Sequence, residues 1–175
     1  STRWDVEDEG PVTDLLNIEF EHAADSVTLK QPGYIEKMFQ QHLDGVVPKG
    51  ISRSPLPASD NLPQLVADAL YLKTLAASEA ASHSPADPEL LRKYQALVGG
   101  LLYCSVNTRP DITYAVGMLC RAMSCPTPDL LLAAQQVLCY LYRHKDVGLR
   151  YQASSPLEGM VDSDLSLIHI SEPTR

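Results

Sequence analysis

Aromatic residues make up only 6% of this 175-residue chain, with one Trp and two Phe, so any core must rest on Leu, Val, Ile and Ala. No run of 18 apolar residues occurs, which argues against a transmembrane helix. The N-terminus, Ser1-Thr2-Arg3-Trp4-Asp5, lacks the basic start and apolar run of a signal peptide. It also lacks an initiator Met and reads as the middle of a longer frame. Positive charge is scarce: 14 basic residues against 22 acidic ones leave a net charge of −8. Free-standing nucleic-acid binders usually neutralise phosphates with a basic surface. The balance therefore argues against independent tight binding, while leaving room for one basic face within a larger assembly. The four cysteines, Cys104, Cys120, Cys125 and Cys139, form no C-x-x-C pair and match no zinc spacing. Three fall in apolar helical patterns, where a free Cys behaves as a small hydrophobe. Reduced thiols in a cytosolic or nuclear protein are the expectation. No glycine-rich phosphate loop is present, since Gly99-Gly100 lies inside a helical stripe.

What is there is the composition of a globular protein, 45% hydrophobic and 21% charged. Residues 1–14 are acidic and irregular; Asp5, Asp8 and Glu9 read as a solvated loop rather than metal ligands. Leu15 to Phe20 and Ser26 to Leu29 read as two strands of a hairpin, with Ala23-Ala24-Asp25 as the turn. A helix follows over about 32–44, opened by Pro32, striped by Tyr34, Ile35, Met38, Phe39 and Leu43, and stopped at Gly45. Residues 46–63 are Pro-rich and read as a linker, 64–80 as an Ala- and Leu-rich helix, and 81–88 as a second break.

The most regular region holds three amphipathic helices, over about 88–105, 110–123 and 128–143. Gly99-Gly100 in the first costs roughly 1 kcal/mol per Gly relative to Ala, so another backbone is expected to approach there. Asn107 or Thr108 can cap the second. Arg109 and Asp111, flanking Pro110, suit capping and an ion pair better than catalysis. Thr127 and Pro128 open the third, and Arg143, His144 and Lys145 sit at its C-terminus, where cations are favoured. His83 and His144 are isolated, with no nucleophile–His–acid arrangement evident. Residues 148–151 and 157–162 read as strands, with no third strand to complete a sheet. The expected fold is α+β and helix-dominated: a β-hairpin plus helix, a three-helix unit, and two terminal orphan strands. Unpaired strand edges and exposed apolar faces predict poor solubility.

Three segments, in order, resemble the copia-type retrotransposon polymerase family. Asp14-Leu-Leu-Asn-Ile-Glu19 followed by Leu29-Lys-Gln-Pro-Gly-Tyr-Ile35 resembles its Leu-Gly-Ile-Glu strand and Gln-x-x-Tyr-Ile helix start. Tyr94-Gln-Ala-Leu-Val-Gly-Gly-Leu-Leu-Tyr103 with Asn107-Thr-Arg-Pro-Asp-Ile112 resembles its Tyr-x-x-Leu-Val-Gly-x-Leu-Leu-Tyr and Thr-Arg-Pro-Asp-Ile run. Ala133-Ala-Gln-Gln-Val-Leu-Cys-Tyr-Leu141, Gly148-Leu-Arg-Tyr151 and Val161-Asp-Ser-Asp164 resemble its Val-Leu-x-Tyr-Leu helix, Gly-Leu-x-Tyr and the Asp-x-Asp strand opening RNase H. Asn17 stands where the family has Gly, and 46–88 matches little beyond Ser54-Pro55-Leu56. Leu165-Ser-Leu-Ile-His-Ile-Ser-Glu-Pro-Thr-Arg175 is similar to a translated sequencing adapter and is expected to be an artefact.

The resemblance implies a division of the chain: 1–45 as the end of the palm and start of the thumb, 46–87 as a variable linker, 88–146 as a three-helix connection, 147–164 as the start of RNase H, and 165–175 as adapter-derived. It implies that Leu15, Leu16, Asn17, Ile18 and Glu19 belong to the strand positioning the primer end, and that Lys30, Lys37 and His42 could meet phosphates. Asp162 matches the first RNase H carboxylate. The polymerase Tyr-x-Asp-Asp turn does not occur in the chain, so the expectation is a non-catalytic fragment. Its parent would be an RNA-directed DNA polymerase with RNase H, using Mg or Mn on a template–primer duplex, in cytoplasmic virus-like particles and the nucleus. The rival expectation is a helical interaction module of a host protein, docking through 88–144.

Overall fold

A computed structural model describes residues 10–46, 54–56, 61–78 and 87–153. Among these residues, four strands and five α-helices follow one another as β1 (Asp14–Leu15), β2 (Ile18–His22), β3 (Ser26–Lys30), α1 (Pro32–Leu43), α2 (Leu62–Ser78), α3 (Pro88–Asn107), α4 (Thr113–Arg121), α5 (Pro128–Arg143) and β4 (Leu149–Gln152). The fold is α+β and dominated by helix, as the sequence implies.

The helices form where an apolar stripe recurs at helical spacing between a start signal and a stop. α5 is the clearest case. The Thr127 hydroxyl accepts from the Leu130 N–H at 3.3 Å, Pro128 supplies the first position, and Asp129 complements the dipole. Leu130, Ala134, Val137, Leu138 and Leu141 are then fully buried. α5 packs on α1, α2, α3 and α4, so it is the axis of the helical core. α2 begins at Leu62, with Pro63 in its first turn rather than in the linker. It buries Leu62, Val66 and Ala69 against α4 and α5. α1 ends at Asp44 and Gly45, both with positive φ.

Three expectations are corrected here. The helix expected over 110–123 is a 3₁₀ turn, Pro110–Ile112, followed by α4, which ends at Arg121. Neither expected cap serves it: the Asn107 amide donates to the Tyr103 carbonyl and the Thr108 hydroxyl to Gln31 Oε1. Second, among the described residues no backbone closes on Gly99-Gly100. None of them comes near a Cβ placed at Gly99, and it is the Met38 side chain of α1 that occupies the room a Cβ at Gly100 would need. Third, the strand after α5 is not an orphan. β4 pairs antiparallel with β3, completing a sheet of order β1-β2-β3-β4, with Leu29 opposite Leu149 and Ser26 opposite Gln152. Gly148 permits this, because a Cβ there would collide with the Leu29 carbonyl oxygen. The strand expected over 157–162 lies outside the described residues.

Alternation sorts the sheet into two faces. One carries Leu15, Ile18, Phe20, Val27, Leu29, Leu149 and Tyr151; none of these is buried, and none joins the helical core. The other is polar, with Glu19, Glu21, Thr28, Lys30 and Arg150. There Lys30 pairs with Glu21 at 2.7 Å, and Arg150 donates to the Ser26 hydroxyl at 3.1 Å.

Candidate nucleic-acid interface

The hairpin is where the family resemblance leads one to expect primer handling, and its geometry differs from an unbroken strand over 15–20. Leu15 pairs with Ile18, leaving Leu16-Asn17 as a two-residue turn with φ of 55° and 61°. Positive φ at both central residues is the hairpin geometry that matches strand twist, and it favours Asn and Gly. Asn17, standing where the resembling family has Gly, is the next residue able to adopt it. Leu16 is not such a residue, and its strain is of order 1–3 kcal/mol. The Tyr103 hydroxyl of α3 donates to the Leu16 carbonyl at 2.6 Å and fixes the turn against the helices. The Leu16 side chain itself is 71% exposed. Leu15 and Asn17 are also exposed, whereas Ile18 and Glu19 are half-buried.

The basic candidates separate. Lys30 is held by Glu21, with a side chain only 21% exposed. Lys37 is exposed on α1 and has no hydrogen-bond or ion-pair partner among the described residues. It lines a cleft of about 260 Å³ with Asn17 of the turn, Tyr34, Gln41 and His42 of α1, and Gly100 of α3. Burial lowers the His42 pKa and raises that of Tyr34. Tyr34 meets Tyr103 edge to face at 5.2 Å, joining the cleft to the turn.

A second polar cluster is structural. Arg109 is 1% exposed, yet each nitrogen of its guanidinium donates a hydrogen bond. Nε and Nη2 grip the Asp111 carboxylate at 2.9 and 2.7 Å, and Nη1 donates to the His144 carbonyl at 2.7 Å. Tyr140 donates to Asp111 at 2.9 Å, and its ring lies 5.5 Å from the guanidinium carbon. Burial would raise the Asp111 carboxyl, but hydrogen bonds from Arg109 and Tyr140 outweigh it and hold the group below its usual range. The expected ion pair is therefore present, as a clamp between the start of the 3₁₀ turn and the end of α5. Sequence reasoning missed Tyr140 and the His144 carbonyl, because no local pattern marks a contact between segments about 30 residues apart.

The four cysteines are free thiols; Cys104 and Cys139 are buried. Burial, opposed by the Arg109 charge, pushes the Cys104 thiol up to about 12, which keeps it protonated and unreactive. Among the described residues no three His, Cys, Asp or Glu side chains come together to hold a metal ion. Asp162, Asp5, Asp8, Glu9 and His83 lie outside the described residues. Among those described, no helix is long and apolar enough to cross a membrane.

No family model and no solved structure matches the chain. Curated relatives do. A transposon Ty5-1 protein of Saccharomyces cerevisiae is 41% identical over 73 residues, 42% of this chain and 24% of that protein. The retrovirus-related Pol polyprotein from transposon TNT 1-94 of Nicotiana tabacum is 36% identical over 74 residues, 42% of this chain and 6% of the polyprotein. An uncharacterized mitochondrial protein of Arabidopsis thaliana is 29% identical over 161 residues, 87% of this chain and 58% of that protein. The chain thus spans about a quarter or less of the length of the two transposon relatives. Similarity to transposon and retrovirus-related Pol polyproteins is consistent with a retrotransposon polyprotein fragment.

Proposed function

We propose that the chain is the part of a copia-type reverse transcriptase that follows the polymerase active site, and that it positions a primer strand without performing chemistry. The similarity to transposon Pol polyproteins is the observation that carries this reading. The hairpin supports it: a strained two-residue turn, anchored by Tyr103, projects from the helices beside an exposed cation, Lys37. A fixed turn of this kind holds a strand end in register, and a phosphate contact orients it without reading sequence.

In this reading Leu15, Leu16, Asn17, Ile18 and Glu19 face the primer end, and Lys37 meets its backbone. Lys30 serves the sheet, through Glu21, before any ligand. Asp162 is the first RNase H carboxylate of the parent. Mg or Mn would serve that parent on an RNA–DNA template–primer, within virus-like particles and the nucleus. Among the described residues no carboxylate set able to hold such an ion comes together. Sequencing the genomic locus across both ends of the frame tests the proposal. A Tyr-x-Asp-Asp motif upstream and further RNase H carboxylates after Asp164 are expected. An intact gene lacking both would overturn it in favour of a host interaction module.

A further inference from the structure

The cleft between the hairpin turn, α1 and α3 has a lining rich in polar side chains. Among the described residues, no Asp or Glu lines this cleft. The one carboxylate on α1, Glu36, is taken by Lys145 at 3.2 Å. Five polar side chains do line it: Asn17, Tyr34, Lys37, Gln41 and His42. None of these five side chains has a hydrogen-bond partner among the described residues. They bring one ammonium, one phenol, two amides and one imidazole to a single concavity, all able to donate. Ala96 and Gly100 keep the α3 wall free of long side chains. Unspent donors around a single uncompensated cation suit an anion with several acceptor oxygens.

We propose that this cleft is a phosphate site, with Lys37 as the counter-charge and Tyr34, Asn17, Gln41 and His42 as the donors around it. The proposal deepens the phosphate contact given to Lys37 above and rests on that reading for its duplex ligand, while the donor set alone carries the site. The phosphate can come from a nucleic-acid backbone or from a small free phosphate, and the two are separable by experiment.

The full chain is titrated with inorganic phosphate and, separately, with a 12-base-pair RNA–DNA duplex, following amide and side-chain shifts by NMR. Lys37→Gln should weaken phosphate binding about tenfold and Tyr34→Phe about threefold, as expected for losing a charge-assisted and a neutral hydrogen bond. Lys73→Gln removes an equal charge from α2, which does not line the cleft, and should change affinity less than about twofold. Lys37 is exposed, so an unchanged circular dichroism spectrum is expected for its variant. Should the duplex compete with phosphate, and Lys37→Gln lower its salt slope by about one, a backbone phosphate occupies the cleft. If phosphate binds there but the duplex does not compete, the site holds and its ligand is a small phosphate, which counts against primer handling and not against the site. Equal weakening by Lys37→Gln and Lys73→Gln, or absence of phosphate shifts at Asn17, Tyr34 and His42, overturns the proposal.

Discussion

The helical core and the sheet are built by opposite means. In the core, residues close in sequence make a stripe, and the stripes of α1 to α5 bury one another until Leu97, Leu101, Leu119 and Leu138 have no exposed surface. In the sheet, Phe20, Leu29 and Leu149 line up across three strands, and none is buried. The core draws its stability from burial, at roughly 1.5–3 kcal/mol per large apolar side chain. The sheet depends on backbone pairing, the Gly148 approach and the Tyr103 tether. Stability is thus concentrated in the helices, while the candidate ligand-facing surface lies where the hairpin turn meets α1 and α3.

The largest expected effect falls where the core is polar. Arg109→Leu leaves the Asp111 carboxylate with the Tyr140 hydroxyl as its side-chain donor and the His144 carbonyl with the Val147 N–H, and breaking this clamp should cost about 3–5 kcal/mol in denaturant unfolding. Arg109→Lys should recover little, because an ammonium cannot grip both carboxylate oxygens and the carbonyl together. A loss below 1 kcal/mol would show that the clamp is dispensable. Next comes a direct contrast between the regions. Leu138→Ala should cost about 2–5 kcal/mol, as a truncation in a closed core. Phe20→Ala, on the open sheet face, should cost about 1 kcal/mol or less. Comparable losses would mean that the sheet face is covered in solution.

Gly148→Ala targets the sheet alone. Its Cβ has no room beside the Leu29 carbonyl, and a shift of this kind costs about 1–3 kcal/mol. Amide exchange should accelerate along β3 and β4 while α5 stays protected. Equal acceleration in both would show that sheet and core open as one unit.

The same division governs what could be read from the residues. α5 was legible because Thr127, Pro128, Asp129 and the apolar stripe from Leu130 to Leu141 all lie within one short window. The pairing of Ser26 with Gln152 was not, since each strand offers the same alternation to any partner. The Leu16-Asn17 turn was hidden for another reason: Leu is a poor turn residue, so the segment reads as continuous strand. Arg109 and Asp111 were legible as neighbours, whereas Tyr140 reaches them only through tertiary packing. Of the cleft, Lys37 was legible as an exposed cation, but nothing local sets Asn17 and Gly100 beside it.

Acid should act on the core clamp. The folded-state pKa of Asp111 lies below its unfolded value, near 3.8, so the native state binds fewer protons there. Its contribution to stability is present above the unfolded pKa and is lost as pH falls through the folded one. Denaturant midpoints should therefore decline below about pH 4 in the wild type, and less steeply in Asp111→Asn. Parallel declines would assign the acid sensitivity to other carboxylates.

The smallest expected effect is a gain, and it is the one that separates structure from function in the hairpin. Leu16 adopts φ of 55° with its side chain in solvent, so it stores strain without the compensation of burial. Leu16→Asn combined with Asn17→Gly supplies the residues that this turn favours and should stabilise the hairpin by about 0.5–1 kcal/mol. The Tyr103 bond to the residue 16 carbonyl is a backbone contact and should persist. If Leu16 and Asn17 serve only the turn, the double variant gains stability and binds a template–primer duplex as the wild type does. If they face a ligand, stability rises while duplex affinity falls. That opposition is what a strained residue kept at a working surface predicts.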